Sequence, residues 1–291
     1  MKCFACDAES QITNGLFKCN ECDLTLSLAD SIWESDDSET IFFDEEDHND
    51  LFKVEDSSFW FRNRNKVILK VLKKFCPSGN LWDIGGGNGY VTKFLQEAGY
   101  PAILIEPSSQ AIQNAKRRKV KNIIKGSLYS INVKPESIKN CALFDVLEHF
   151  DKPEIMIQKI SLLLPPSGKL YITVPAHNLL WSQIDEYSYH YNRFNRKTLN
   201  KLLNAHGFKE IYSSYFFSFL FIPMLILRVL PYKIFSRKKR KDLFDREVKK
   251  HNKFAETIIK RICRVERKVL EFTRLPLGTS LIAVYEKVDT Q

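Results

Sequence analysis

The chain has 291 residues and 44% hydrophobic content, ordinary for a globular protein and long enough for one large α/β domain with appendages. Its net charge of +9 points to an acidic partner, but the charge is local: residues 228–274 hold 17 basic and 6 acidic side chains, which leaves about −2 for the rest. The amino terminus lacks the apolar core of a signal peptide, and the seven cysteines do not form a secreted disulfide set, so a reducing cytoplasm is expected.

Cys3-x-x-Cys6 and Cys19-x-x-Cys22 are two knuckles separated by twelve residues, with the hairpin signal Asn14-Gly15 between them. Each pair lets two thiolates reach one tetrahedral Zn²⁺, and two pairs close the site with no position for water. Residues 1–30 therefore read as a structural zinc ribbon, which would recognise a substrate or cap the fold. Residues 31–57 are acidic with aromatic islands (Trp33, Phe42, Phe43) and read as a solvated linker. From Ser58 a helix is predicted to about Lys74, with Val67, Ile68, Val71, Leu72 and Phe75 on its apolar face.

Leu81 to Phe94 reads as a buried strand, a glycine-dense turn and the start of a helix. Gly85, Gly87 and Gly89 give D-x-G-x-G-x-G with Asp83, a spacing different from the dinucleotide fingerprint. Ala102 to Ile105 is an apolar run closed by Glu106. Alternating glycines after an acid resemble motif I of class I S-adenosylmethionine-dependent methyltransferases, of the type 11, 12 and 23 group, over about Phe59 to Glu286. The resemblance implies a Rossmann-like seven-stranded sheet with helices on both faces, occupying 58–215 and 276–291. It also implies S-adenosyl-L-methionine as cofactor, the glycine turn under its amino-acid part and Glu106 on its ribose. Phe59-Trp60-Phe61-Arg62-x-Arg64 resembles the opening helix of a subgroup tied to glycan and lipid pathways, which helps cover the cofactor.

Downstream, helices and strands alternate. At the place of the family's adenine-binding acid stands Gly126-Ser127-Leu128, so Ser127, Leu128 or backbone groups would replace that contact. Asp145-Val-Leu-Glu148-His149 resembles the family's segment at the sulfonium end of the cofactor. One helical turn would set Asp145, Glu148 and His149 on a common face. His149, with Glu148, could serve a hydroxyl acceptor as general base; the three could instead hold a divalent cation, as in the resembling quinone-precursor O-methyltransferases, or merely brace the loop. After the fifth strand, Trp181, Asp185, His190, Tyr191 and Arg193 resemble the subgroup's acceptor wall. Arg193 would suit a phosphate or carboxylate and His190 is a second base candidate. Phe194-Asn195 departs from the more usual Arg-Tyr.

The last two strands are predicted over 209–215 and 280–286, the seventh antiparallel. Residues 216–275 intervene as an apolar and then basic helical insertion. The uncharged run 213–227 is short for a bilayer span. With Ser236 to Lys241 after it, the segment 215–241 reads as an interfacial anchor, a lid over a lipid-linked acceptor, or a soluble cap. A nucleic-acid patch lacks interleaved aromatics, but zinc-ribbon rRNA methyltransferases resemble the layout, and a non-catalytic zinc-bearing scaffold is the third alternative.

Overall fold

The structure is a computed structural model and describes residues 1–35, 45–75, 78–235 and 253–289. Four short ribbon strands come first: β1 (Gln11–Thr13), β2 (Leu16–Lys18), β3 (Thr25–Ala29) and β4 (Ile32–Glu34). Helices α1 (Glu45–Glu55) and α2 (Phe59–Phe75) follow. The alternating portion then runs β5 (Leu81–Ile84), α3 (Tyr90–Glu97), β6 (Ala102–Glu106), α4 (Ser109–Arg117), β7 (Ile123–Lys125) and β8 (Asn140–Phe144). It continues through α5 (Pro153–Leu163), β9 (Lys169–Pro175), α6 (Gln183–Tyr187), α7 (Arg196–Asn204) and β10 (Phe208–Phe216). The insertion contributes α8 (Phe221–Met224), a π-turn (Leu225–Val229), α9 (Leu230–Phe235) and α10 (Lys253–Phe272) before β11 (Ser280–Lys287).

The strand order is β1-β2-β3-β4-β7-β6-β5-β8-β9-β11-β10. The seven strands from β7 to β10 form the expected methyltransferase sheet, with β11 antiparallel to both β9 and β10. Strands β5, β6 and β8 read as continuous apolar runs because helices cover both their faces. Their carboxyl ends all point to one edge, where ligands bind in such sheets.

Two arrangements add to the sequence reading. The ribbon is joined to the sheet, because β4 pairs in parallel with β7 (Trp33↔Ile124, Glu34↔Lys125) and extends it. Phe4, Phe17 and the buried Cys3, Cys19 and Cys22 share one apolar core with Trp82, Ile84 and Ile105. Residues 31–57, expected as a solvated linker, contain β4 and α1. Helix α1 is held by Arg118, which pairs with Glu55 at 2.7 Å inside the protein.

Of the insertion, α10 packs on α2: Cys263 and Leu270 join Val67, Ile68 and Val71 in a second core. Around this contact Arg62 pairs with Glu256 at 2.8 Å, and Lys70 with Glu271. The Glu266 carboxylate accepts the N–H groups of Phe217 and Ser218 at 2.8 and 2.7 Å, fixing the exit from β10. The polybasic run Ser236 to Lys241 lies outside the described residues. Among the described residues, no helix is long and apolar enough to cross a membrane.

Candidate functional site

A cavity of about 700 Å³ opens at the carboxyl edge of the sheet, within the range of small-molecule sites. One end lies over the glycine turn and the other under the insertion. Gly87 (φ +53°) marks the open side, since a Cβ built there would meet nothing within 4 Å. Gly89 (φ +68°) has a different reason to be glycine: a Cβ would lie 2.8 Å from Val120 and 3.1 Å from Ala115, where α3 packs down. Gly85 is also at positive φ (69°) and borders the cavity.

Asp83 is fully buried and its Oδ2 accepts the Thr92 hydroxyl at 2.6 Å. Burial raises its pKa to about 6. Glu106 Oε2 accepts Gly87 N–H at 2.9 Å and Oε1 accepts Ser108 N–H at 2.8 Å. The carboxylate is thereby held rigidly beside the open turn, with lone pairs remaining on both oxygens. Burial raises Glu106 to about 7, despite the two backbone donors. A buried carboxylate at the wall of the cavity fits a pair of ribose hydroxyls, which would replace the lost water. Ser127 and Leu128 line the same end; Ser127 Oγ accepts the N–H groups of Tyr129 and Ser130, which shapes the turn.

The sequence reading missed the outer wall. Helix α1 contributes His48, Leu51 and Glu55, and Asn88 from the glycine turn donates to His48 O (2.9 Å) and Glu55 Oε2 (3.2 Å). The charged character of 31–57 hides this role, because α1 is held by polar contacts as much as by an apolar stripe.

At the middle of the cavity, Asp145 takes a positive φ (58°), and the following turn, Leu147–His149, is 3₁₀. The expected helical face of Asp145, Glu148 and His149 therefore does not form. Asp145 instead accepts Arg64 Nη1 at 2.5 Å and the Thr173 hydroxyl at 3.0 Å. The alternative of a divalent cation on Asp145, Glu148 and His149 is not what the side chains form: among the described residues, the ligand atoms that converge, within 4.8 Å, belong to Glu148, His149 and His190. Burial, with Asp145 nearby, pushes Glu148 well above the carboxylate range. Burial and the neighbouring His190 pull His149 down to about 3, so its ring is neutral and weakly basic at pH 7.

His190 has the better geometry for a base. Its ring meets His149 edge-on at 4.8 Å and its Nδ1 sits 3.1 Å from Asp185 Oδ1. A carboxylate can only accept, so Nδ1 carries the proton and Nε2 is the acceptor. Burial opposes the charge on Asp185, but the His190 and Arg193 contacts outweigh it and hold the pKa at about 2.

The acceptor wall is partly redrawn. Asp185 does not line the cavity; it closes a capping box with Ser182 and binds Arg193 through both oxygens (2.6 and 3.1 Å). Arg193 touches the cavity but also donates to Ala176 O at 3.0 Å, so its guanidinium is committed to protein rather than to an acceptor anion. Trp181 and Tyr191 are not among the lining residues, and Tyr191 is 59% exposed. Phe194 is buried and Asn195 caps α7, so neither replaces the missing Arg-Tyr pair. Arg228 of the insertion also borders this end, and burial lowers its pKa to about 10. Beside it stand Leu220, Pro223, Met224, Leu227 and Ile259. A single Arg inside an apolar helix was the one sequence signal for this wall.

Away from the cavity, the Cys3–Cys22 and Cys6–Cys19 Sγ atoms are 3.5 and 3.6 Å apart, and all four thiols lie within 4.8 Å of one another. Thiolates about 2.3 Å from one tetrahedral Zn²⁺ stand about 3.8 Å apart, so the cluster fits a zinc ribbon.

A family model described as a methyltransferase domain matches residues 58–213, more than half of the chain. No curated protein matches it by sequence. Among solved structures, a possible histamine N-methyltransferase from Thermotoga maritima is 16% identical with TM-score 0.52, covering 83% of this chain and 95% of that one. A chain of the complex between the Haloferax volcanii Trm112 methyltransferase activator and a methyltransferase is 11% identical with TM-score 0.52, covering 85% and 95%. The [4+2]-cyclase SpnF is 16% identical with TM-score 0.50, covering 80% and 84%. These likenesses establish the fold; the cyclase illustrates that one fold can serve other chemistry.

Proposed function

This chain belongs to the methyltransferase-domain family, and on that premise we propose that it moves a methyl group from S-adenosyl-L-methionine to a small amphiphilic acceptor, lipid-linked or from a glycan pathway. The observation that carries the cofactor half is Glu106, pinned by two backbone N–H groups beside the open Gly87. When bound, the cofactor supplies an electrophilic methyl group. Glu106 would accept the ribose hydroxyls, Ser127 and Leu128 would border the base, and Asp83 and Gly85 to Gly89 would hold the amino-acid end. Asp145, fixed by Arg64, sets the floor near the reacting centre.

Toward an acceptor hydroxyl, His190 Nε2 would be the group that takes up the proton the acceptor loses. Asp185 holds the imidazole in the required tautomer and stabilises its charge. Glu148 and His149 pack beside this base. Placement of the reactants supplies most of the rate.

Apolar residues of the insertion support an acceptor with a hydrocarbon portion. Ile222, Ile226, Leu230 and Ile234 are exposed on the same arm, which supports peripheral contact through 215–241 with an anionic inner leaflet in a cytoplasmic protein. The four cysteines would hold a structural Zn²⁺.

The test is transfer of labelled methyl from S-adenosyl-L-methionine into a total lipid extract, run beside total RNA. Label in a lipid or lipid-linked glycan is expected. Label in RNA alone would replace the acceptor reading, and absence of cofactor binding by calorimetry would remove the whole proposal. Pelleting with phosphatidylglycerol vesicles but not phosphatidylcholine vesicles, weakened by Ile226→Glu, tests the membrane contact.

A further inference from the structure

The ribbon is joined by two routes to segments that carry the cofactor end of the cavity. At the sheet edge, Ser35 follows β4 and donates its N–H to Lys125 O at 3.0 Å. Its hydroxyl meets Ser130 Oγ at 2.8 Å. Ser130 Oγ accepts Ser127 N–H at 3.0 Å and lies 3.1 Å from Ser127 O. Ser35 Oγ also lies 3.4 Å from Lys125 O, so either hydroxyl can donate in the Ser35–Ser130 pair. Ser35 thus braces the turn whose residues Gly126 to Tyr129 line the cavity. The packing is close: a Cβ on Gly126 would stand 2.2 Å from Ser35 Oγ.

The second route runs through the core. Phe4 O, between the first two cysteines, accepts the Trp82 indole N–H at 2.8 Å. Asn80 Nδ2 reaches Cys3 O at 3.2 Å and Phe4 O at 3.1 Å. Trp82 is fully buried and directly precedes Asp83 on β5. On the far knuckle, Cys22 O accepts Lys134 N–H at 2.8 Å. These carbonyls are positioned by the knuckles, and a knuckle keeps its shape when its thiolates share an ion.

We infer that the metal-loaded ribbon is a working part of the cofactor site: Ser35 is a positioning residue for the Gly126–Tyr129 turn, and zinc affinity and cofactor affinity are coupled. The inference rests on the cofactor reading above. Coupling of binding free energies is reciprocal, so each ligand must raise the affinity for the other by one common factor.

The experiment uses the full chain loaded with zinc. S-adenosyl-L-methionine is titrated by calorimetry into the wild type, Ser35→Ala and Ser35→Thr. Zinc affinity is measured by competition with a chromogenic chelator, with and without saturating cofactor. Loss of one hydrogen bond predicts cofactor binding roughly three- to tenfold weaker in Ser35→Ala, with full zinc content and an unchanged fold by circular dichroism. The hydroxyl of Ser35→Thr restores binding. In the wild type, cofactor tightens zinc; in Ser35→Ala it tightens it less. Cofactor affinity equal in all three variants, or zinc affinity indifferent to cofactor, overturns the coupling while leaving the methyltransferase reading intact. Failure of the zinc-loaded wild type to bind cofactor at all overturns both.

Discussion

Replacing Glu106 with glutamine removes one negative charge and one acceptor while preserving volume. In the wild type each carboxylate oxygen accepts a backbone N–H, from Gly87 at 2.9 Å and Ser108 at 2.8 Å. An amide satisfies one of these donors and turns its NH₂ toward the other, so the side chain rotates away from the ribose position. A hydrogen bond to a charged group contributes about 1.5–3 kcal/mol. At about 1.4 kcal/mol per decade, the dissociation constant for S-adenosyl-L-methionine should rise by about tenfold to about a hundredfold. The pH dependence gives a second reading. The free protein holds the Glu106 proton up to about pH 7 because of burial. Hydroxyl donors favour the ionised form, so wild-type affinity is flat above pH 7 and falls as pH drops below it. Asp83 titrates near 6, so the glutamine variant keeps a limb there and loses the one near 7. Folding behaves oppositely: a raised carboxyl pKa contributes stability at low pH that is lost as pH rises through 7, so the neutral amide should not lower Tm at pH 8. Calorimetric titration across pH 5.5–8.5 tests this. An affinity change under about threefold, with the limb near 7 retained, would refute the reasoning.

Gly87→Ala and Gly89→Ala should separate binding from stability. The first costs about 1 kcal/mol of backbone strain yet places a methyl group in the cofactor crevice, so calorimetry should register the larger effect. The second drives a methyl into Val120 and Ala115, so thermal denaturation should register it instead. Arg64→Met leaves Asp145 with Thr173 as partner and should destabilise the fold by about 3–5 kcal/mol; Asp145→Asn in the same background should recover much of this in urea titrations. His149, held down to about 3, refuses a proton that the unfolded chain accepts below about pH 6.5. It therefore contributes stability above pH 6.5 that is lost as pH falls toward 3, and His149→Gln should flatten acid unfolding in that window; ring-proton NMR showing a charged His149 at pH 5 would contradict this.

The features legible in the sequence are those that local chemistry dictates. Positive φ at Gly85, Gly87 and Gly89 and the knuckle spacing of Cys3, Cys6, Cys19 and Cys22 need no distant partner to be recognised, and the apolar runs at 81–84, 102–106 and 140–144 announce buried strands. Features that depend on long-range pairing were not legible. Nothing in Ile32-Trp33-Glu34 signals a parallel partner about 90 residues away. The aromatic-rich run after β9 was readable as important but not as to direction: Asp185 and Arg193 turn inward onto each other, whereas Arg228, from the insertion, turns to the cavity. Asp145 misled for a similar reason: it takes a positive φ and its carboxylate is engaged by Arg64 and Thr173, partners that its own segment does not announce.

Strand β11 lies between β9 and β10, and six of its eight residues are buried. It is also the latest strand in the chain, separated from β10 by the whole insertion. The sheet's antiparallel end therefore cannot close until the arm bordering the cavity has been made. Until then the outer edge of β9 has no partner, the sort of surface that invites another chain to pair. Assembly thus has a vulnerable interval whose length depends on the excursion between residues 216 and 280, and shortening that excursion would alter the yield of folded protein as well as the shape of the cavity.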